Sequence, residues 1–193
     1  QLGLQEVDNP SASFINRHET VVNGSCVFAG IEGSRPILIE VQSLVAASSL
    51  PSPRRTVIGW ESGRLSMIIA VLEARCGVSF AGKDVYLNIA GGLRIIEPAA
   101  DMAVALSLLS SLAHVPMPSN IVAFGEIGLS GEVRNVSQIK NRLKEAQKMG
   151  FKGAIIPAQK KKEKLSMSPG FMIQEVDLLK ACLDFLGIET KKT

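Results

Sequence analysis

A short stretch decides the fold of this chain: Gly91-Gly92-Leu93-Arg94-Ile95-Ile96-Glu97-Pro98-Ala99-Ala100-Asp101. Residues 85–90, which precede it, are typical of a β-strand. Pro98 suits the first turn of a helix, because its missing N–H costs nothing there. The helix predicted from Pro98 to about Leu112 is apolar nearly all round, so we expect it to be buried. The stretch is therefore predicted to connect a strand to a buried helix through a turn that contains glycine.

Downstream of this stretch, predicted strands and helices alternate. Ser137 is a plausible N-cap for a helix that ends at Gly150. The full predicted series is strand 121–127, a turn at 129–131 into 132–134, helix 137–150, strand 153–157, a basic loop, strand 172–176 and helix 178–186. This alternation indicates an α/β domain with mixed sheets and packed helices.

Upstream, the pattern predicts a hairpin followed by a helix. Residues 25–31 and 36–45 are strand-like runs joined by a short connection that contains Gly33. Residues 46–55 contain two prolines and are predicted to be a loop. Residues 61–75 carry one apolar stripe at helical spacing and are closed by Gly77.

The chain has 193 residues, which suits one domain with a sizeable core. Residues 1–20 show weak periodicity and are interpreted as a linker or arm leading in from an upstream domain, and residues 21–193 as the domain itself. Because the chain begins with Gln1, we expect it to be a piece of a longer protein.

The composition excludes several classes of function. Apolar residues make up 46% of the chain, charged residues 20%, and no apolar run is long enough to span a bilayer. There is no G-x-x-x-x-G-K-[ST] or G-x-G-x-x-G motif, so we expect no ATP hydrolysis by this piece alone. The cysteines Cys26, Cys76 and Cys182 form no C-x-x-C pair and there are two histidines, so no metal site is expected and the thiols are predicted to be buried and free in a reducing cytosol.

The deciding stretch resembles the catalytic region of Lon-type serine proteases. In that family the helix opens with Gly-Pro-Ser-Ala-Gly, whereas here residues 97–101 read Glu-Pro-Ala-Ala-Asp, so Ala99 stands where the serine would be. The family's catalytic lysine follows Gly-Gly-Leu, and here Lys140 follows Ser-Gln-Ile. A Ser-Lys dyad needs a hydroxyl to attack and an amine to take its proton. The resemblance therefore implies a Lon protease-like fold whose dyad is degenerate, with no catalytic residue.

Two of these positions keep alternative interpretations. Asp101 is interpreted as an acid that favours the helix dipole. Lys140 is either a leftover base, partly buried, or a surface residue that forms a basic helix face with Lys144 and Lys148. A peptidase with a displaced nucleophile is the enzyme alternative, although Ser107, Ser110 and Ser111 lie two to three turns along the helix.

Basic residues suggest a nucleic-acid surface, although the net charge of +3 does not prove one. Arg54 and Arg55 end the proline-rich loop, and Arg64 lies in the first turn of the next helix, where a cation opposes the dipole. Arg94 could extend the patch beside the glycine turn. Arginine binds phosphate with a bidentate fork, but an ordinary solvent-facing cluster or an inter-subunit ion pair is the alternative. The candidate DNA-binding residues are Arg54, Arg55, Arg64, Arg94, Lys140 and Lys144.

A further basic run, Lys160-Lys161-Lys162-Glu163-Lys164, lies in a predicted loop and is typical of a solvated segment. Trp60 and Tyr86 are the only large aromatic residues with a polar tip. Since aromatic side chains provide the stacking surfaces for unpaired bases, base-specific recognition is not expected.

Several segments together resemble the C-terminal Lon-like domain of the RadA (Sms) family of bacterial DNA repair proteins. The segments that carry this resemblance are residues 3–11, 53–56, 91–94, 97–101 and 125–132. The resemblance implies a cytoplasmic bacterial protein, associated with the nucleoid when bound to DNA. It also implies an upstream zinc-binding segment and a RecA-like ATPase domain that would use ATP, Mg and Zn outside this chain.

Function and partners are expected from the same resemblance. A full protein of this family forms a hexameric ring on single-stranded or branched DNA, drives branch migration during recombination and can work with the RecA recombinase. The domain here is expected to form the ring and to contact DNA without sequence preference. The main alternative is a purely structural ring scaffold, with DNA contacted by the ATPase domain alone.

Overall fold

A mixed sheet forms the centre of the computed structural model, which describes residues 22–160 and 165–190. The predicted arm at residues 1–20 and the lysines of 161–164 lie outside the described residues. In chain order the elements are β1 (Ser25–Glu32), β2 (Arg35–Ala47), β3 (Arg55–Ile58), α1 (Ser62–Cys76), β4 (Lys83–Ile89), α2 (Asp101–Ala113), β5 (Ile121–Ala123), β6 (Glu126–Ile127), β7 (Val133–Arg134), α3 (Ile139–Lys148), β8 (Gly153–Pro157), β9 (Met172–Val176) and α4 (Ala181–Phe185). The predicted α/β class is confirmed.

Seven strands form the main sheet in the order β3-β4-β2-β1-β5-β8-β9, and β6 and β7 form a small second sheet. β1 pairs with β2, and β2 with β4, in antiparallel orientation, whereas the other neighbours are parallel. The predicted hairpin of β1 and β2 is confirmed, since a tight connection can join only antiparallel strands. The parallel pairs require longer crossovers, such as those made by α1 and α3.

The buried helix predicted from the deciding stretch is α2, preceded by a 3-10 turn at Pro98–Ala100. Residues 101–111 are all buried. Its buried serines have partners on β2 and directly before β1. The Ser107 and Ser43 hydroxyls lie 2.6 Å apart, and the Ser110 and Ser111 hydroxyls accept the N–H groups of Gly24 and Val45, each at 2.9 Å. These hydroxyls therefore fasten α2 to the hairpin of β1 and β2.

Four boundaries differ from the predictions. The predicted loop at 46–55 is shortened, because β2 reaches Ala47 and β3 begins at Arg55. β3 was missed because it is a short edge strand with no fully buried residue. The predicted strand 121–127 is two strands, β5 and β6. The last helix is shorter than predicted, since α4 begins at Ala181.

The prediction that Ser137 caps α3 is wrong. The N-cap is Gln138, whose φ of 59° and ψ of 33° place it in the left-handed region, and no side chain caps the helix. A non-glycine residue rarely adopts this conformation, so no propensity rule indicated it.

Candidate functional site

Gly125, in the break between β5 and β6, hydrogen-bonds to the backbone on both sides of the degenerate nucleophile position, residue 99. The N–H of Gly125 donates to the carbonyl of Ala99 at 2.9 Å, and the Gly125 carbonyl accepts the N–H of Met102 at 3.0 Å. Ala99 is 4% exposed. The backbone around position 99 is thus held from both sides, and a buried methyl group occupies the place that the resemblance gives to a hydroxyl.

Asp101, two residues further, forms an ion pair with Arg64 of α1. Arg64 Nε donates to Asp101 Oδ1 at 2.6 Å, and Arg64 Nη2 donates to Oδ2 at 2.5 Å. The backbone N–H of Ile127 donates to the same carboxylate at 3.0 Å. Asp101 is fully buried and the Arg64 side chain is 23% exposed. The pair connects the start of α2 to α1 and to β6.

This ion pair corrects two interpretations of the sequence. Asp101 does more than favour the helix dipole, because its carboxylate is the buried partner of an arginine. Arg64 binds the Asp101 carboxylate through two nitrogens of its guanidinium. This pairing explains why an arginine lies in the first turn of α1, where it opposes the helix dipole. Its predicted contact with DNA would have to compete with this bidentate pair.

Burial and hydrogen bonding act on the pKa values of both partners in the pair. Burial raises the pKa of Asp101, and hydrogen bonds from Arg64 and from the Ile127 amide act in the opposite direction. The hydrogen bond to Asp101 raises the pKa of Arg64. Burying an unpaired carboxylate costs free energy, and the ion pair with Arg64 offsets this cost for Asp101.

A second ion pair lies on the other side of Pro98. Arg142 of α3 is 1% exposed, and its Nη2 donates to Glu97 Oε2 at 2.8 Å while Nη1 lies 3.2 Å from Glu97 Oε1. Arg142 Nε also donates to the carbonyl of Ser137 at 2.9 Å, and the guanidinium lies 5.6 Å from the centre of the Phe124 ring. Glu97 and Asp101, the charged residues of this turn, are thus both paired with arginines.

The pair of Glu97 and Arg142 also occupies an edge of β1. β5 pairs with β1 only at Val27 and Phe28. Beyond that point Glu97 Oε1 accepts the N–H of Ile31 at 2.7 Å, and Arg142 Nη1 donates to the carbonyl of Ala29 at 2.8 Å. The two side chains therefore satisfy the backbone of β1 as a neighbouring strand would. An extended peptide cannot add to β1 at these groups while the ion pair is in place.

Arg142 and Glu97 are absent from the predicted site residues, although the sequence carries a signal for Arg142. Arg142 lies on the helix face of Ile139 and Ala146, three residues after one and four before the other. A cation on an otherwise apolar face indicates a buried charge that needs a partner.

The predicted arginine patch is divided by the structure. Arg55 Nη1 donates to the carbonyls of Arg54 and Lys83 at the start of β3, at 3.0 and 2.5 Å. At the other end of β3, the N–H of Ile95, next to Arg94, donates to the carbonyl of Gly59. At a rise of about 3.3 Å per residue, these ends lie roughly 13 Å apart. Arg94, Arg54 and Arg55 are exposed, whereas Arg64 is paired with Asp101.

One acidic residue, Asp84, lies beside Arg54 and Arg55. The backbone N–H of Arg54 donates to Asp84 Oδ1 at 2.6 Å, and this hydrogen bond lowers the pKa of Asp84. An anionic Asp84 beside Arg54 and Arg55 reduces the positive field that a phosphate would meet.

Lys140 and Lys144 lie one turn apart on α3, and both are exposed, as the surface interpretation predicted. Leu143 and Ala146 of the same helix are buried, and Ile139 packs partly against the core. α3 therefore presents its lysines away from the core.

Lys140 borders a large cleft, which sequence analysis did not anticipate. This amide cleft has a volume of about 1280 Å³. It lies between the turn after β7, the start of α3 and the segment after β8. Its lining residues are the amides Asn135, Gln138, Asn141 and Gln159, the charged residues Glu132, Arg134, Lys140, Lys160 and Asp177, and the apolar residues Val133, Val136, Ile139, Ala158 and Leu165.

Within residues 22–160 and 165–190, no group of three or more His, Cys, Asp and Glu residues is arranged to hold a metal ion. Cys26, Cys76 and Cys182 are free and buried, as the sequence predicted. Among the described helices, none has the length and apolar character needed to cross a membrane.

Comparison with known proteins identifies the family. The family model described as "Subunit ChlI of Mg-chelatase" matches residues 60–160, more than half of the chain. A "DNA repair protein RadA" of Brucella abortus is 58% identical over 155 residues, which are 80% of this chain and 33% of the relative. The RadA proteins of Pseudomonas aeruginosa and Haemophilus influenzae are 50% and 42% identical over 80% and 95% of this chain, and over 34% and 40% of their own lengths.

The chain spans about a third of the length of the curated relatives it matches. The matches to RadA proteins agree with the RadA resemblance seen in the sequence. This chain therefore belongs to the ChlI family, within which it corresponds to a segment of the RadA DNA repair proteins.

Proposed function

We propose that this chain is a non-proteolytic segment of a DNA repair protein and that it contacts DNA, without sequence preference, through the exposed lysines at the start of α3. The observation that carries this proposal is the position of Lys140 and Lys144, which are exposed and lie one turn apart on α3, with Lys140 lining the amide cleft. Lys160 lines the same cleft. Lysines on one surface can replace counterions on several phosphates at once.

The buried ion pairs support this choice of residues. Arg64 and Arg142 are neutralised by Asp101 and Glu97, so neither guanidinium adds a full positive charge to the surface. Arg54, Arg55 and Arg94 remain exposed and form secondary contact candidates. We expect them to matter where DNA extends beyond α3.

A non-proteolytic role is favoured by the site itself. Position 99 carries a methyl group, which neither attacks a carbonyl nor donates a proton. Ser107, Ser110 and Ser111 are committed to hydrogen bonds with β1, β2 and the backbone of α2. A displaced nucleophile would have to leave these bonds first.

Self-association is the second part of the proposal, and it is also the rival function if DNA is not bound. Ile58 and Ile96 are 58% and 86% exposed. Each adjoins one of the two residues joined by the hydrogen bond from the Ile95 N–H to the Gly59 carbonyl. Exposed apolar side chains on two backbone segments that meet beside an edge strand favour contact with another subunit. In a ring, each lysine of α3 would be repeated around the assembly, which increases avidity for phosphates.

For the whole protein we propose the activities that the family resemblance implies. These are an ATPase that uses ATP and Mg, a zinc-binding segment, a hexameric ring, branch migration and cooperation with the RecA recombinase, all involving regions beyond this chain. The supporting finding is that the relatives are named DNA repair proteins.

The test is fluorescence anisotropy of labelled DNA titrated with this chain at several salt concentrations, with light scattering to report assembly. Lys140→Ala/Lys144→Ala should weaken binding and lower the slope of log affinity against log salt by about 2, one for each lysine. Arg35→Ala/Lys152→Ala removes the same charge from exposed positions elsewhere and should bind as the native chain does. If the chain assembles but binds no DNA even at low salt, the DNA-contact proposal is wrong and only the scaffold function stands.

A further inference from the structure

We propose that a second cavity, the hairpin pocket, binds an extended acidic peptide of a partner protein, with one aliphatic side chain of that peptide inserted in the pocket. The hairpin pocket has a volume of about 280 Å³ and is lined by the end of the hairpin of β1 and β2 and by residues 93–97. None of the lysines of α3 lines it. The peptide site and the proposed DNA contact can therefore be tested independently.

The interior of the hairpin pocket is apolar. It is formed by buried side chains from both of its walls: Phe28, Ile37, Ile39 and Ile95. The Phe28 ring lies over Gly30, since a Cβ added at Gly30 would be 2.6 Å from Phe28 Cε1. Pockets for drug-sized ligands begin at about 300 Å³. The hairpin pocket is therefore of the size that accepts a single aliphatic side chain.

Residues 93–97 form one wall of the pocket and have the conformation of a strand. Leu93 and Glu97, at the two ends, have extended φ/ψ values of −76°/156° and −81°/135°. Between them, the Ile95 N–H donates to the carbonyl of Gly59 at 2.8 Å. One side of this extended segment is thus already paired.

The other side of the segment is open. Because backbone groups alternate in direction along an extended chain, the N–H groups of Arg94 and Ile96 point away from Gly59. Within the part of the chain that the structure describes, neither of these N–H groups donates a hydrogen bond. Both residues are exposed. An extended peptide can therefore pair with this segment as an added strand, while a pocket for one of its side chains provides specificity.

The charge at the rim of the pocket favours an acidic peptide. Arg94 lines the pocket, and among the described residues it forms no ion pair. Glu97 is bound by Arg142 at 2.8 Å. Glu32 lies opposite Arg35 in the ladder of β1 and β2, where opposite charges attract. Arg94 therefore offers its guanidinium to a carboxylate beside the aliphatic residue, whereas a lysine there would meet a like charge.

The test is fluorescence anisotropy of labelled heptapeptides titrated with this chain. The probes are Ser-Gly-Glu-Leu-Glu-Gly-Ser, the same peptide with alanine for leucine, and the same peptide with lysine for both glutamates. The acidic leucine peptide should bind at least about tenfold more tightly than the alanine peptide, because the larger side chain buries more apolar surface. It should bind about threefold more tightly than the lysine peptide. Methylation of its three central backbone nitrogens, which blocks strand pairing, should weaken binding about fivefold.

Reversal of the charge at the rim locates the binding site. Arg94→Glu should weaken binding of the acidic leucine peptide and strengthen binding of the lysine peptide. Arg54→Glu makes the same change at another exposed arginine, before β3, and should keep the native preference. Circular dichroism confirms that both variants are folded, and the peptide series on the native chain tests the proposal without any variant.

Three results would overturn the proposal. The first is equal binding of all peptides, or no binding of any. The second is a preference for the acidic leucine peptide that Arg94→Glu leaves unchanged, because the peptide would then bind elsewhere. The third is a change of particle size by light scattering in Arg94→Glu without peptide binding to the native chain, which would assign the hairpin pocket to a second copy of this chain.

Discussion

The ion pair of Glu97 and Arg142 joins the turn before α2 to α3, the two segments to which the sequence resemblance assigns a degenerate dyad. Glu97 lies directly before Pro98 and the degenerate position 99, and Arg142 lies two residues after Lys140. Their oxygen and nitrogen atoms approach to 2.8 Å, with Arg142 almost completely buried. This buried ion pair beside position 99 also occupies the edge of β1.

Replacement of Arg142 by methionine should destabilise the fold strongly. The variant leaves the Glu97 carboxylate and the Ala29 carbonyl without their partner, so the free energy of unfolding should fall by about 3–5 kcal/mol. Urea unfolding followed by circular dichroism measures this change. Glu97→Gln keeps an Oε1 that can accept the Ile31 N–H, but it leaves the almost fully buried Arg142 without an anion, so a loss of similar size is expected. Arg142→Met/Glu97→Gln leaves no buried charge unpaired and should lose less than either single variant. A loss of less than about 1 kcal/mol for Arg142→Met would contradict the structural role.

The pair of Arg64 and Asp101 predicts a pH-dependent defect. In Arg64→Ala, burial raises the pKa of Asp101 without opposition from the guanidinium. A carboxyl group whose folded pKa is raised favours folding below its unfolded pKa and loses that contribution as pH rises. The stability deficit of Arg64→Ala should therefore be larger at about pH 7 than at about pH 4. Adding Asp101→Asn should abolish this difference, and a deficit independent of pH would refute the explanation.

The buried thiols should make the fold sensitive to alkali. Burial raises the pKa of Cys76 to about 11 and that of Cys182 to about 12. Above about pH 9 the unfolded chain loses thiol protons that the native chain keeps, so the free energy of unfolding should decrease as pH rises. Urea unfolding at about pH 8 and about pH 10 tests this. Replacing both cysteines by alanine should reduce the dependence, and a thiol reagent should label them only in the unfolded chain.

His114 offers a position where glycine should stabilise the protein. It ends α2 with a φ of 55°, and its N–H bonds to the carbonyls of Ser110 and Ser111. Since glycine adopts this left-handed conformation without a Cβ penalty, His114→Gly should add about 0.5–1 kcal/mol to the free energy of unfolding. His114→Ala keeps the penalty and should give no such gain. Thermal unfolding compares the three chains.

Restoring a serine at position 99 should not restore proteolysis. Ala99 is buried, Lys140 is exposed, and the edge of β1 is occupied by Glu97 and Arg142. A general base must lie within hydrogen-bond reach of the hydroxyl that it activates. We expect Ala99→Ser to remain unlabelled by a serine-directed fluorophosphonate probe and inactive on casein. If Ala99→Ser is labelled and the double variant Ala99→Ser/Lys140→Ala is not, Lys140 activates the new hydroxyl and the prediction is wrong.

Strong local patterns were sufficient for much of the fold. α1 was predicted from its apolar stripe and from Gly77, and α2 from Pro98 and a continuous apolar run, because periodicity and end signals act over a few residues. β3 and the break at Gly125 were not predicted. Their positions depend on pairing with β4 and on hydrogen bonds to Ala99, which link residues far apart in the chain.

The candidate site shows the same division. The sequence by itself determined that position 99 has no nucleophile and that α3 carries lysines at helical spacing, since residue identity and spacing are local properties. Tertiary structure alone decided that Arg64 and Arg142 neutralise Asp101 and Glu97, and that amides from separate segments meet in one cleft. The physical reason is that the charge state and accessibility of a side chain depend on its surroundings in space, and folding brings those surroundings together from distant parts of the chain.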